Sequence, residues 1–336
     1  MPRLEPFIGL RYDPSSVSLD DVIAPPYDVV DERSREALAA RSSYNAIRVE
    51  LPEPRGSLDR YEAAAASFES WERDGVLRRD TEPTLYAYRM RYPDRQGRER
   101  HTTGVLGALA LAPSGEGGVL PHERTMAKPR GDRLDLLRAT AVNTSPVWGL
   151  SLAAGLSELC EPGGPPLLSA TDGDGIGHEL WRVPAERVPA IAARVEQAPI
   201  VLADGHHRWE TALAYAQDRR SVRGAGPWDL ALALVVELVE DQLDVGPIHR
   251  LVRTPLTASE LREALARHLR LEPLRRPPPG SLSDAAVSGG APVLVDGQGS
   301  WWLRSPAAGP GGPPPAIGED VDAARLAAVL EALDLE

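Results

Sequence analysis

The 336-residue chain has one cysteine, Cys160, three methionines and two phenylalanines. A single thiol excludes an internal disulfide and any zinc site built on thiolate pairs. No apolar run approaches the roughly 18 residues that a membrane span needs. The N-terminal stretch Met1-Pro-Arg-Leu-Glu-Pro-Phe7 carries no apolar signal-peptide core. A reducing cytoplasm is therefore the expected compartment. Positive charge is also scarce, with 37 Lys and Arg against 49 Asp and Glu, for a net charge of -12. That balance argues against nucleic acid as a partner, because non-specific duplex binding rests on clustered cations. Two familiar nucleotide-binding plans are missing as well. There is no Gly-Lys-Ser/Thr phosphate loop, and the glycines at 115, 117 and 118 make no dinucleotide fingerprint. His122-Glu123 lacks the second His that a zinc-peptidase helix requires.

What remains is an ordinary globular composition, 42% hydrophobic and 26% charged, which can bury a core. The length allows two domains at about 150 residues each. We place the division at 255/256, with a core at 1–255 and a small extension at 256–336 behind Pro/Gly-rich linkers at 275–292 and 305–315. Periodicity predicts helices near 31–40, 58–73, 131–140, 185–197 and 258–269, and a last one near 321–333. It predicts strands at 46–51, 178–182 and 245–252, and a hairpin from 84–92 and 100–111 around Pro93-Asp-Arg-Gln-Gly97. Residues 230–239 are apolar throughout and read as a central strand, while 161–177 read as a loop. The class is α/β or α+β with a mixed sheet.

The most informative stretch is Pro199-Ile-Val-Leu-Ala-Asp-Gly-His-His-Arg-Trp-Glu-Thr-Ala-Leu213. Ile200, Val201 and Leu202 form a short apolar run suited to a buried strand, which Asp204 and Gly205 break. From Arg208 onward, Trp209, Ala212, Leu213 and Ala216 recur at helical spacing. His206, His207 and Arg208 thus fall where a strand becomes a helix N-terminus, where amide groups and the helix dipole favour an anion. Arg can bind two phosphate oxygens at once, and Gly205 lets the backbone approach a ligand closely. The pattern reads as a phosphate cradle. Two other readings stay open: Asp204 as a plain helix cap with solvated histidines, or a metal site using Asp204 and the imidazoles.

A second group is locally basic: His122, Glu123, Arg124, Lys128, Arg130, Arg133 and Arg138. Lys128 precedes Pro129, which biases it towards a loop, with Asp132 and Arg133 near the start of the helix that follows. Loop Lys, helix-start Arg and nearby acids are the parts phosphoryl transfer uses. A solvated charged helix, with Asp132 and Asp135 pairing Arg138, would look the same. The turns Ala24-Pro-Pro-Tyr-Asp28 and Asn143-Thr-Ser-Pro146 are polar between apolar runs. They are either structural turns or substrate contacts through Tyr27, Asp28, Asn143 and Ser145.

Ala24-Pro-Pro-Tyr-Asp-Val-Val30, His122-Glu-Arg-Thr125, Lys128, Asp132-Arg-Leu134, Asn143-Thr-Ser-Pro146, Ala203–Leu213 and Pro247-Ile-His-Arg250 occur in this order. Over residues 1–255 the set resembles the domain of unknown function 1015 (DUF1015) family. Through its Gly-His-His-Arg turn it is similar to the ParB/sulfiredoxin-like superfamily, which includes free-serine kinases. The resemblance implies a ParB/sulfiredoxin-like nucleotide-binding core. It implies that Gly205, His206, His207 and Arg208 hold the phosphates of ATP or ADP and that Asp204 helps place Mg2+. The family pattern continues into a Lys-Ser-Thr, aromatic-rich terminal motif that is not found before Glu336, a departure that bears on catalysis.

The expectation is a small-molecule kinase. Lys128 and Arg133 neutralise the moving phosphoryl group, Glu123 is the base with Asp28 as its rival, and Asp204 is the metal ligand. Its partners would be a nucleotide and a small hydroxylated metabolite, with a homodimer possible and no membrane. The competing expectations are a regulatory protein that binds nucleotide without turnover and a ParB-like DNA partner.

Overall fold

Helix starts in this chain are set by side chains that accept from first-turn amides. Asp59 accepts from Tyr61 and Glu62 while the Glu62 carboxylate accepts from the Asp59 amide, and Thr257 with Glu260 repeats the arrangement. Asp31 accepts from the Ser34 amide at 2.8 Å. The computed structural model describes residues 1–94, 97–113, 116–120, 127–243, 252, 254–274, 292–296 and 299–304, without the side chains of 127–130 and 241.

The first elements are β1 (Leu4–Glu5), β2 (Leu10–Tyr12), α1 (Leu19–Val22), a 3-10 turn (Tyr27–Val29), α2 (Glu32–Arg41), α3 (Ile47–Glu50), α4 (Arg60–Arg73) and β3 (Leu77–Arg79). Then come β4 (Tyr86–Pro93), β5 (Glu99–Ala110), β6 (Val119–Leu120), α5 (Ala127–Thr140), β7 (Val147–Ser151), α6 (Leu156–Cys160), β8 (Leu168–Thr171) and β9 (Gly177–Arg182). α7 (Val188–Val195), β10 (Ile200–Asp204), α8 (His206–Arg223), a 3-10 turn (Pro227–Asp229) and β11 (Leu230–Glu237) follow. The remainder is a 3-10 turn (Glu240–Gln242), α9 (Ala258–Ala266), β12 (Arg270–Pro273), β13 (Val293–Asp296) and β14 (Gly299–Arg304).

The principal sheet runs β6-β10-β7-β11-β5-β4-β9-β8, with β1 added on β5. The β10/β6 and β11/β7 pairs are parallel and the other pairs antiparallel, so the sheet is mixed and the class α/β. β11 lies between β7 and β5, as its uniformly apolar sequence requires. Its Ala233 and Val235 join Val105, Leu109, Ile200 and Leu202 in one core with Leu156 and Ile191 from α6 and α7. Full burial of each Leu or Ile there contributes roughly 1.5–3 kcal/mol. A second core gathers Val49, Ala64, Trp71, Leu77 and Leu136 from α3, α4, β3 and α5, with Val76 from the turn before β3. Tyr12, Tyr44 and Phe68 surround the Trp71 ring with centroids 5.9–6.4 Å away.

Two compact units, Met1–Leu243 and Asp244–Glu336, divide the chain. The second holds α9 and the antiparallel ribbon β12-β14-β13.

Several local expectations change. The expected strand at 46–51 is instead the helical turn α3, Ile47–Glu50. The buried Asn45 amide donates to the Asp21 and Ile23 carbonyls while its oxygen accepts from the Ile47 amide at 2.9 Å, which starts a helical turn. Lys128 lies inside α5, not in a loop before it. Pro129 is tolerated there because the first turn of a helix has no use for its missing N–H. The 161–177 loop contains β8, which pairs with β9. α8 starts at His206, so both histidines belong to the helix. The expected strand at 245–252, apart from residue 252, and the expected helix at 321–333 lie outside the described residues.

Candidate functional site

The site begins where β10 ends. Ile200 and Leu202 are fully buried between β6 and β7, and the β10/β7 register shifts between Leu202 and Asp204. Gly205 then takes φ +88°, in the left-handed region that only glycine enters at little cost. A Cβ on it would lie 3.1 Å from the Val147 Cα and 3.2 Å from the Arg208 Cζ. Gly205 is also the residue that precedes the first turn of α8. It offers no side-chain oxygen to that turn, whose dipole favours an anion.

The Arg208 guanidinium folds back over this glycine and donates to the Asp204 carboxylate and the Pro146 carbonyl. The space spared by the missing Cβ is thus filled by the chain's own cation. Asp204 is an ion-pair partner rather than a helix cap, with its carboxylate half exposed. His206 is buried. The Nδ1 of His207 is buried and has no hydrogen-bond partner, as do the Trp148 Nε1 and the Thr211 Oγ1. Thr211 is one turn along α8 from His207, and Trp148 is the register partner of Asp204 on β7. Three of the four such atoms among the described residues therefore collect around this junction, an unmet polar capacity that native interiors rarely leave.

A second cluster approaches from the 3-10 turn and α5. The Arg133 guanidinium is almost fully buried, stacks 4.3 Å from the centre of the Tyr27 ring, and donates to the Glu50 carbonyl at 2.7 Å. Its Nε and Nη2 donate to the Asp132 carboxylate at 2.9 and 2.5 Å. Asp132 also accepts from the Tyr61 hydroxyl at 3.0 Å and pairs with Arg60 at 2.8 Å. Burial pushes the Asp132 carboxyl up, but these donors, Arg133 foremost, outweigh it and hold it below the usual carboxylate range. Tyr27 is raised, chiefly by burial; Arg133 and Arg208 pull it down, while Asp28 and Glu50 push it up. Arg133 thus joins the 24–30 and 132–134 segments by stacking, and the Arg208 charge acts on the same phenol. A cleft of about 320 Å3 adjoins these two segments, lined by Val30, Asp31, Arg35, Glu53, Arg60 and Arg133.

The residues expected from the sequence divide accordingly. Asp204, Gly205 and Arg208 form one junction, joined through the Pro146 carbonyl to the 143–146 turn, and Arg133 stacks on Tyr27, the chain neighbour of Asp28. Asn143 lines a different cleft with Tyr215 and Arg219. Ser145 is half-buried beside Pro146. His122, Glu123 and the side chain of Lys128 lie outside the described residues, so the base assignment has no geometry. Glu50 and Asp132 were missed as partners of Arg133. Nothing in Ala46-Ile-Arg-Val-Glu-Leu51, where Arg48 and Glu50 alternate with apolar residues, singled out Glu50. Among the described residues no three His, Cys, Asp or Glu side chains form a metal-holding group. No described helix is long and apolar enough to cross a membrane.

With this geometry established, comparison with known proteins places the chain. A family model described as "Protein of unknown function (DUF1015)" matches residues 4–334. The chain belongs to the DUF1015 family. No curated protein and no solved structure matches it. In this DUF1015 protein the family match extends well past residue 255, so it takes in both compact units rather than the first alone.

Proposed function

We propose that this DUF1015 protein is a nucleotide-dependent small-molecule kinase with a ParB/sulfiredoxin-like core, transferring a phosphoryl group from ATP or ADP to a hydroxyl such as that of free serine. The carrying observation is a helix start that has no side-chain cap under the Arg208 guanidinium, with the charges of Arg208 and of the stacked Arg133 both acting on Tyr27. In this reading an incoming phosphate replaces Asp204 on the Arg208 fork, and the unpartnered His207 Nδ1 supplies a further donor when protonated. The carboxylate released from Arg208 is then available to Mg2+. One protein carboxylate suits an ion that arrives on the nucleotide phosphates, since Mg2+ commonly takes one or two carboxylates plus substrate oxygens. Lys128 and Arg133 neutralise charge on the moving group, and Glu123 or Asp28 takes the hydroxyl proton. The cleft beside Arg133 gives a small acceptor room.

The test is to incubate the purified protein with Mg2+, serine and either ATP or ADP and to look for phosphoserine by mass spectrometry. Its formation supports the reading; its absence with both donors rejects serine as the acceptor. A second reading, nucleotide binding without turnover, draws on the Asp204–Arg208 ion pair, which occupies the carboxylate that magnesium would need. It requires saturable nucleotide binding with no product from any acceptor.

A further inference from the structure

A second cleft, of about 450 Å3, opens between the end of α5, the C-terminal half of α8 and the Pro227–Asp229 turn. Its volume falls within the roughly 300–1,000 Å3 of small-molecule sites. Leu137, Ala141, Ala212 and Leu230 supply apolar surface, and Tyr215 and Trp228 supply rings. Arg219 and Arg223 stand one helical turn apart on the same face of α8 and both line it.

These two cations differ from their neighbours. Arg138 is paired with Asp135 and Asp218, and Arg220 with Asp229. Neither Arg219 nor Arg223 forms an ion pair or hydrogen bond among the described residues; Arg219 rests on the Tyr215 ring, 4.9 Å from its centre. The Trp228 indole N–H is already satisfied by the Gly224 carbonyl, so this side chain offers the cleft a ring rather than a donor. In a chain of net charge -12, two unneutralised guanidiniums beside two rings form a local positive site with apolar walls.

We propose that this cleft is a binding site for a small anion carried on a flat apolar body, an aromatic phosphate or carboxylate. The two guanidinium forks take the anion. The ring lies against Trp228 and the aliphatic surface, and the Asn143 amide takes a polar substituent. Arg219 lies about 21 Å along α8 from Gly205, at 1.5 Å rise per residue. This ligand is therefore distinct from the phosphate proposed at the helix start, and the inference does not depend on that reading.

Phenyl phosphate, titrated against the full chain and followed by saturation-transfer NMR, is the probe. The expected result is saturable binding that weakens at least about tenfold in Arg219→Gln/Arg223→Gln. It should be unchanged in the charge-matched Arg33→Gln/Arg73→Gln protein, with matching melting curves showing that all three are folded. Inorganic phosphate and phenol should each compete poorly. Equal affinity in the Arg219/Arg223 variant, or no saturable binding to the native protein, overturns the site. So does binding that survives there but falls in Arg208→Ala, which would put the probe at the helix start. Competition by inorganic phosphate as strong as by phenyl phosphate rejects the aromatic class.

Discussion

At residue scale two positions bear most on the proposed chemistry, Gly205 through the structure and Lys128 through the sequence. Gly205 was conspicuous in the sequence, and the structure requires it twice, for φ +88° and for the approach of the Arg208 guanidinium. Gly205→Ala should cost about 1–3 kcal/mol in denaturant unfolding, the range for a residue held in a sparsely populated backbone region. It should also displace Arg208 from Pro146; wild-type stability would show that the turn relaxes freely. Lys128 is less conspicuous but is the only lysine among 37 Lys and Arg residues. Lys128 is thus the one side-chain primary amine in a chain that otherwise uses arginine, and the two cations are not equivalent, since Lys presents a compact charge and Arg a planar fork. Lys128→Arg keeps the charge. It should lower phosphoserine formation at least about tenfold while changing nucleotide affinity less, as expected for a group acting mainly in the transition state. An unaffected rate removes Lys128 from the chemistry.

At element scale, what could be read from the sequence followed periodicity. The 84–111 hairpin, the helix ending at Arg73, the central strand β11 and the β10–α8 junction were all legible because their apolar spacing is regular over many residues. Residues 46–51 were not. Ile47 and Val49 alternate like a strand, but the turn is decided by Asn45, whose contacts at Asp21 and Ile23 are distant in sequence. The β12-β14-β13 ribbon was missed because its strands are short and Pro/Gly-rich sequence separates two of them. Glu237 shows the same long-range logic. From the end of β11 it accepts from the Gly155 and Ser157 amides at 2.8 Å and the Ser157 hydroxyl at 2.6 Å, capping α6 in place of Gly155. Burial raises its pKa, but these donors outweigh burial and hold it below the usual value. Its stabilising contribution is therefore complete above an unfolded Glu value of about 4.3. It is lost as pH falls through the lower folded value. Glu237→Gln should cost about 1–3 kcal/mol at neutral pH, and less at the acid end, measured by urea unfolding across pH. A pH-independent difference would contradict the charged cap.

At the scale of the whole molecule, the acidic surplus and the candidate site make opposite demands. A chain of net charge -12 repels polyanions at long range, so any polyphosphate must be held by local cations and oriented dipoles. Tyr27, on which Arg133 stacks and Arg208 acts electrostatically, links segments distant in sequence. The motifs were visible one by one, but their meeting was not. Nor was the prior commitment of Arg208 to Asp204, since an i,i+4 pair across a strand–helix break has no sequence signature. The most direct measurement is calorimetric titration of the native protein and Arg208→Ala with ATP and ADP in Mg2+. The account predicts saturable binding that weakens by about 1.5–3 kcal/mol, the range for hydrogen bonds to charged groups. No binding to the native protein, or equal affinity in the two proteins, would contradict the phosphate cradle.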